Sequence, residues 1–195
     1  YAWYPGERGG DAVADIIFGN VSPSGKLPIT FPKSVSQLPD YKDYSMVGRT
    51  YKYMEESPLY PFGYGLGFAE LEWGDPSVAT NTVVSNQELE ISMDIKNTGS
   101  IDADEVIQVY LTIENEDERL PIASLVDFRR VTIDQGELRN VKLYVPYEEF
   151  SYYNSEGEKI QHHGKATVTI ANAAPGERAA ELGAKSHEIE VIVND

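Results

Sequence analysis

Apolar and polar residues alternate along most of the second half of this 195-residue chain. Leu89, Ile91, Met93 and Ile95 are apolar, while Glu88, Glu90, Ser92, Asp94 and Lys96 interleave with them. Side chains on a strand point to opposite faces in turn, so this pattern predicts a strand with one buried and one wet face. Val141, Leu143 and Val145 repeat it, as do Ala166, Val168 and Ile170, and then Ile189, Val191 and Val193. Val106 to Ile113 is apolar on both faces, which predicts a central strand. Val78 to Val84 and Leu125 to Ile133 are further candidates. The runs Asn97-Thr98-Gly99, Asp134-Gln135-Gly136 and Asn154-Ser155-Glu156-Gly157 carry turn chemistry between them. Seven or so short strands without an intervening helical period predict an antiparallel β-sandwich of immunoglobulin or fibronectin type III-like form over residues 71–195.

Residues 1–70 read differently. Val13, Ile16 and Ile17 fall at i, i+3 and i+4, so one helix is expected over Ala12 to Phe18. Asp11 suits its N-cap or first turn, and Gly19 suits the position just past its end. Pro23, Pro28, Pro32 and Pro39 then arrive too often for a helix, leaving extended chain with one short strand at Leu27 to Phe31. One helix and a long irregular segment cannot close a core alone. Trp3, Val13, Ile17 and several tyrosines are therefore expected to pack on the sandwich or on another copy of the chain.

Composition sharpens this division. Residues 1–70 hold 7 of the 11 prolines, 9 of the 16 glycines and 8 of the 13 tyrosines. The turn-forming Trp73-Gly74-Asp75-Pro76 follows, and a domain boundary is expected between residues 70 and 71. The net charge of −16 repels phosphate backbones, arguing against nucleic-acid binding. No apolar run has the length of a membrane-spanning helix, so no membrane partner is expected. With no cysteine, disulfides, thiolate metal sites and cysteine nucleophiles are excluded together. The start at Tyr1, without an initiator Met, suggests a segment that begins inside a longer chain.

Several motifs, in order, now carry a family likeness. Trp3-Tyr4-Pro5-Gly6-Glu7-Arg8-Gly9-Gly10-Asp11 and the helix after it, then Asn20-Val21-Ser22-Pro23-Ser24-Gly25-Lys26-Leu27-Pro28, resemble the closing stretch of the second domain of glycoside hydrolase family 3. Tyr44 to Tyr53 resembles the same region, and Leu59 to Phe68 resembles the family's link into its fibronectin type III-like domain. Asp94 to Gly99, Asp104 to Tyr110, Leu125 to Val131 and Gln135-Gly136-Glu137 resemble that domain itself. The resemblance implies a retaining exo-acting β-glycosidase of β-glucosidase, β-xylosidase or arabinosidase type, secreted or periplasmic. The run Arg49 to Met54 leans toward the β-xylosidase and arabinosidase side.

Retaining hydrolysis needs two carboxylates about 5 Å apart, one nucleophilic and one acid/base. In the family these lie in a (β/α)8 barrel and earlier in the second domain. Neither region is in this sequence, so no catalytic residue is assigned, no cofactor or metal is expected, and the fragment alone should be inactive. An oligosaccharide substrate would be met through the catalytic domains. Self-association is expected through exposed interdomain surface. The competing reading is a free-standing extracellular β-sandwich that binds carbohydrate or protein.

Several individual residues have plain structural roles open to them. Glu7 sits before a helix start, where backbone N–H groups favour an anion, and is expected to order that loop. Gly63-Tyr64-Gly65-Leu66-Gly67 lacks the Lys-Ser/Thr of a phosphate loop and reads as a chain reversal needing positive φ. His162 and His163 would point to opposite faces of a strand and read as surface histidines. Glu114, Glu116, Asp117 and Glu118 read as a solvated acidic loop, and Glu114 to Ile122 could extend toward a cleft. Tyr41, Tyr44, Tyr51, Tyr53, Tyr60 and Tyr64 alternate with Arg49 and Lys52. They are expected to pack between domains rather than stack on sugars, with Arg49 over one ring.

Overall fold

The long alternating runs become the long strands. A computed structural model describes residues 1–115 and 119–195. Strand β4, Glu88–Asn97, buries Leu89, Ile91, Met93 and Ile95 and leaves most of the residues between them wet. It is flanked on one side by β1, Leu71–Trp73, and β2, Ser77–Val78, and on the other by β7, Leu138–Pro146. The second sheet runs β3–β11–β10–β5–β6: Thr82–Val83, Ser186–Val193, Gly164–Ala171, Ala103–Ile113 and Ser124–Ile133. Pairing is antiparallel throughout apart from β3 on β11. Strands β8, Ser151–Tyr153, and β9, Lys159–Gln161, form a separate hairpin.

The core lies between the two sheets. Ile91 and Met93 from β4 and Leu143 from β7 join Ile107, Val109, Val168 and Val191 of the facing sheet, with Phe150 closing one end. Asn97 is fully buried yet satisfied: its Nδ2 donates to the carbonyls of Ile101 (2.8 Å) and Ile133 (3.0 Å), and its Oδ1 accepts from Gly99 N–H. That side chain replaces the ladder where the strand stops, which is why the turn at Asn97-Thr98-Gly99 is well defined.

Residues expected as one strand, Val78 to Val84, divide between the sheets. Val78 pairs with Ile91, whereas Val83 pairs with Val193. The chain crosses the edge of the sandwich between them, a step that alternation cannot reveal. Leu27 to Phe31 is not a strand either. Leu27 exchanges bonds with Tyr64 and Gly63, and Phe31 with Tyr60 and Leu59, but Pro28 between them has no N–H and the ladder breaks.

The expected helix forms one turn early, as α1 over Gly9–Ile17. Arg8 takes the N-cap position without a capping bond, and Asp11 in the first turn accepts from Arg8 Nε at 3.0 Å. Gly9 admits this start, since a Cβ there would stand 2.4 Å from Pro5 Cβ. Gly19 takes φ +77° just past the helix end, as anticipated. The described residues also include two short α-helices, α2, Thr50–Tyr53, and α3, Glu177–Glu181, and 3-10 turns at Val35–Gln37 and Tyr147–Glu149.

Candidate functional site: the seam between the two segments

Central strand β5 uses both faces. Ile107, Val109, Leu111 and Ile113 face the core, while Gln108 and Tyr110 are also buried, on the side where residues 51–64 lie. Tyr110 Oη donates to Gln108 Oε1, and Gln108 Nε2 donates to the Gly63 carbonyl at 3.0 Å. Tyr51 stacks on Phe62 at 4.5 Å between ring centroids and meets Tyr110 edge-on at 5.8 Å. Its hydroxyl accepts from Leu125 N–H at 3.2 Å. Backbone bonds from Ala174 N–H to Phe62 O (2.8 Å) and Ile122 N–H to Lys52 O (2.7 Å) fasten the same seam. Burial raises the Tyr51 phenol above its usual value, partly offset by the Leu125 bond. Burial raises Tyr110 much further, with a smaller push from Tyr51.

An ion pair closes the seam's other end. Lys26 Nζ lies 2.6 Å from Glu105 Oε1, with both side chains nearly buried. Glu105 Oε1 also accepts from Val106 N–H, and Oε2 accepts a long 3.4 Å bond from Asn172 Nδ2. The pair faces a cleft of about 440 Å3, lined also by Ser22, Ser24 and Trp73. Nearby, the indole of Trp73 stacks on His187 with centroids 6.5 Å apart. Sequence reasoning missed Lys26, Glu105 and Gln108 as seam residues. The available signal was Gln108, a polar side chain set inside the apolar stretch Val106 to Leu111, with Glu105 just before it.

The six tyrosines separate. Tyr51 and Tyr64 pack into the seam, Tyr64 Oη donating to Leu182 O at 3.3 Å, and Tyr60 stacks on Tyr64. Tyr41 and Tyr44 are about 90 % exposed. Among the described residues Arg49 lies over no ring; it donates to the carbonyls of Ser45 and Asp43 and so holds the loop that carries Tyr44. The cation over an aromatic ring is instead Arg129, 5.8 Å from the Tyr144 centroid.

Of the surfaces expected for them, Trp3, Val13 and Ile17 do not use the sandwich. Val13 and Ile16 are over a third exposed, Ile17 is 72 % and Phe18 80 % exposed, because none of the described residues covers the apolar stripe of α1. The Trp3 ring meets that of Tyr1 edge-on, and Tyr1 in turn touches Phe31. Glu7 is exposed and has no bonded partner among the described residues; Arg8 and Asp11 tie the helix start instead.

The two histidines do face apart, but only His163 is on the surface, 3.4 Å from Asp195. His162 is buried, its Nε2 2.7 Å from Lys165 O and its N–H on Phe150 O, because the β9–β10 corner folds over it. In the glycine run only Gly63 has positive φ (+75°); Gly65 and Gly67 are there for close approach, to Gly25 O and Ser22 Oγ. Of the acidic loop, Glu116, Asp117 and Glu118 lie outside the described residues. Among those described, no group of three or more His, Asp or Glu is placed to hold a metal, and no helix is long and apolar enough to cross a membrane.

This arrangement has counterparts. Residues 1–68 match the glycosyl hydrolase family 3 C-terminal domain, and residues 105–174 match the fibronectin type III-like domain. The xylan 1,4-beta-xylosidase of Xylanibacter ruminicola is 41 % identical over 157 residues, 80 % of this chain and 18 % of that protein. The periplasmic beta-glucosidase of Salmonella typhimurium is 34 % identical over 180 residues, 86 % of this chain and 24 % of that protein. A crystal structure of the beta-glucosidase from Listeria innocua in complex with glucose superimposes with TM-score 0.81 at 30 % identity, covering all of this chain and 28 % of the other. The chain thus spans about a quarter or less of the length of the curated relatives it matches. With both matched domains in order, the chain belongs to glycoside hydrolase family 3 and corresponds to that family's C-terminal region.

Proposed function

We propose that this chain is the non-catalytic C-terminal part of a retaining, exo-acting β-glycosidase, of β-xylosidase, arabinosidase or β-glucosidase type, working outside the cytoplasm in oligosaccharide breakdown. The observation that carries this reading is the asymmetry of residues 1–68. One side is bolted to the sandwich through Gln108, Tyr110 and Glu105. The other presents Val13, Ile17 and Phe18 to solvent. A surface locked on one side and apolar on the other suits a brace, on which further α/β domain can seat. We place the boundary between the two parts at residues 70 and 71, where irregular chain gives way to β1. The relatives named for β-xylosidase and periplasmic β-glucosidase activity support the substrate class and the location. An oligosaccharide substrate is then met through domains other than these.

Turnover of nitrophenyl β-xyloside and β-glucoside tests the reading. The intact protein containing this sequence should hydrolyse at least one of them, and the 195-residue chain alone neither. Turnover by the isolated chain would refute the division of labour.

A further inference from the structure

We infer that the cleft at Lys26 and Glu105 is a saccharide-binding subsite. The starting point is an unfinished set of hydrogen bonds. A nearly buried ion pair is stable only when the remaining valences of both charges are met. Lys26 Nζ has three N–H donors, and among the described residues one of them is used, on Glu105 Oε1 at 2.6 Å. Glu105, 8 % exposed, has Oε1 doubly engaged, but among the described residues Oε2 receives only the 3.4 Å contact from Asn172, beyond the usual hydrogen-bond range. An ammonium with spare donors beside a carboxylate with a spare acceptor matches a vicinal diol. One hydroxyl oxygen accepts from the ammonium and the neighbouring O–H donates to the carboxylate.

The surroundings favour a sugar over an ion. The cleft has a volume of about 440 Å3, within the range of small-molecule sites, and adds Ser22 and Ser24 hydroxyls and the indole of Trp73 to its wall. Trp73 Nε1 is buried without a hydrogen-bond partner among the described residues, so the indole offers the cleft apolar surface rather than a donor. Charges of both signs in contact give little net attraction for a phosphate or a metal cation, whereas hydroxyls that donate and accept satisfy both. Lys26 comes from the family 3 C-terminal match and Glu105 from the fibronectin-like match, so the subsite exists only when the two parts are joined. The inference rests on the glycosidase reading for its choice of sugar, β-linked xylose or glucose oligomers.

The test is a titration of the 195-residue chain with xylobiose and cellobiose, followed by amide and indole NMR shifts. The chain has two tryptophans, so the indole region reports Trp73 against Trp3 as an internal control. Saturable shifts at Trp73, Lys26 and Glu105 with Trp3 unmoved are expected. Glu105→Gln should weaken binding by about tenfold or more, the cost of losing a charged acceptor. Should that variant misfold, Leu66→Trp at the exposed rim should block binding while leaving the melting temperature in place. No saturable shift with either disaccharide overturns the inference, as does an equal response to glycerol. If the intact enzyme hydrolyses its glycosides while the cleft stays silent, only this inference fails. If the cleft binds sugar but the intact protein has no glycosidase activity, only the proposed function fails.

Discussion

Gln108 Oε1 occupies the space in which a side chain at position 63 would begin: a Cβ on Gly63 would lie 2.0 Å from it. The same glutamine donates through Nε2 to the Gly63 carbonyl at 3.0 Å, so clash and bond come from one buried amide. Gly63 is also at φ +75°, where a Cβ strains the backbone. Gly63→Ala combines both penalties and should cost about 2–4 kcal/mol in urea unfolding. Gly136→Ala, at a similar φ with open space around it, should cost only the backbone part, about 1 kcal/mol. Equal losses at the two sites would show that the amide yields and that the seam is soft.

The phenols of the seam set an alkaline limit on stability. Burial raises Tyr110 and Tyr51, so both stay protonated in the fold after tyrosines of the unfolded chain begin to ionise near pH 10. Above that pH the unfolded chain binds fewer protons than the native state, and stability falls as pH rises. Below it their contribution is complete. Tyr110→Phe should flatten this alkaline decline. At neutral pH it should cost about 1–2 kcal/mol, because Gln108 Oε1 loses its donor. Denaturation midpoints between pH 8 and 11 would check both effects.

On the acid side the relevant group is Asp104. Its carboxylate accepts from the Thr132 hydroxyl and from Arg130, which hold its pKa below the ordinary value against a modest desolvation. A depressed folded pKa gives stability that is complete above about pH 4 and is lost as pH falls through the folded value. Arg130 is mostly exposed, so solvent screening keeps the contribution small. Asp104→Asn should cost about 1 kcal/mol at pH 7, and the difference should vanish near pH 2. A pH-independent loss would mean that packing, not charge, is what the residue supplies.

Why the long strands were legible and the seam was not follows from what each leaves in the sequence. Ile91 and Leu143 must face the core every second residue, and that constraint prints a period into their neighbours. The sheet switch between Val78 and Val83 leaves no such print, since both residues remain inward while their partners change. Lys26 and Glu105 meet only through tertiary contact, and nothing near Lys26 distinguishes it from a surface lysine. The burial of His162 is illegible for a related reason. Its burial depends on the Phe150 backbone reaching it from another part of the chain. Local resemblance identified the family, but the seam is made of non-local pairs.

A core substitution offers a control for all of these. Leu143 is fully buried opposite Ile91 on the paired strand. Leu143→Ala should cost about 2–5 kcal/mol by lost burial plus cavity, at every pH. If residues 1–68 and the sandwich unfold as one unit, this change and Gly63→Ala should lower a single shared transition. Separate transitions, with only one displaced by each variant, would indicate that the seam does not couple the two parts.

The apolar stripe of α1 gives the last prediction. Ile17 and Phe18 stand 72 % and 80 % exposed at the end of a helix whose Val13 and Ile16 are also open. Contiguous apolar surface of this kind drives association when its natural cover is not supplied, at roughly 25 cal/mol per Å2 buried. The net charge of −16 opposes contact between copies at low salt, and screening relieves that repulsion. The isolated chain should therefore self-associate with rising concentration, more strongly at 0.5 M salt than in dilute buffer. Ile17→Glu with Phe18→Ser should abolish the association while shifting stability by less than about 1 kcal/mol, since neither side chain is in the core. Sedimentation velocity across concentration and salt reads this directly. Association that persists in the double variant would point away from α1 and toward another surface, and the bracing role proposed for residues 1–68 would lose its main physical motive.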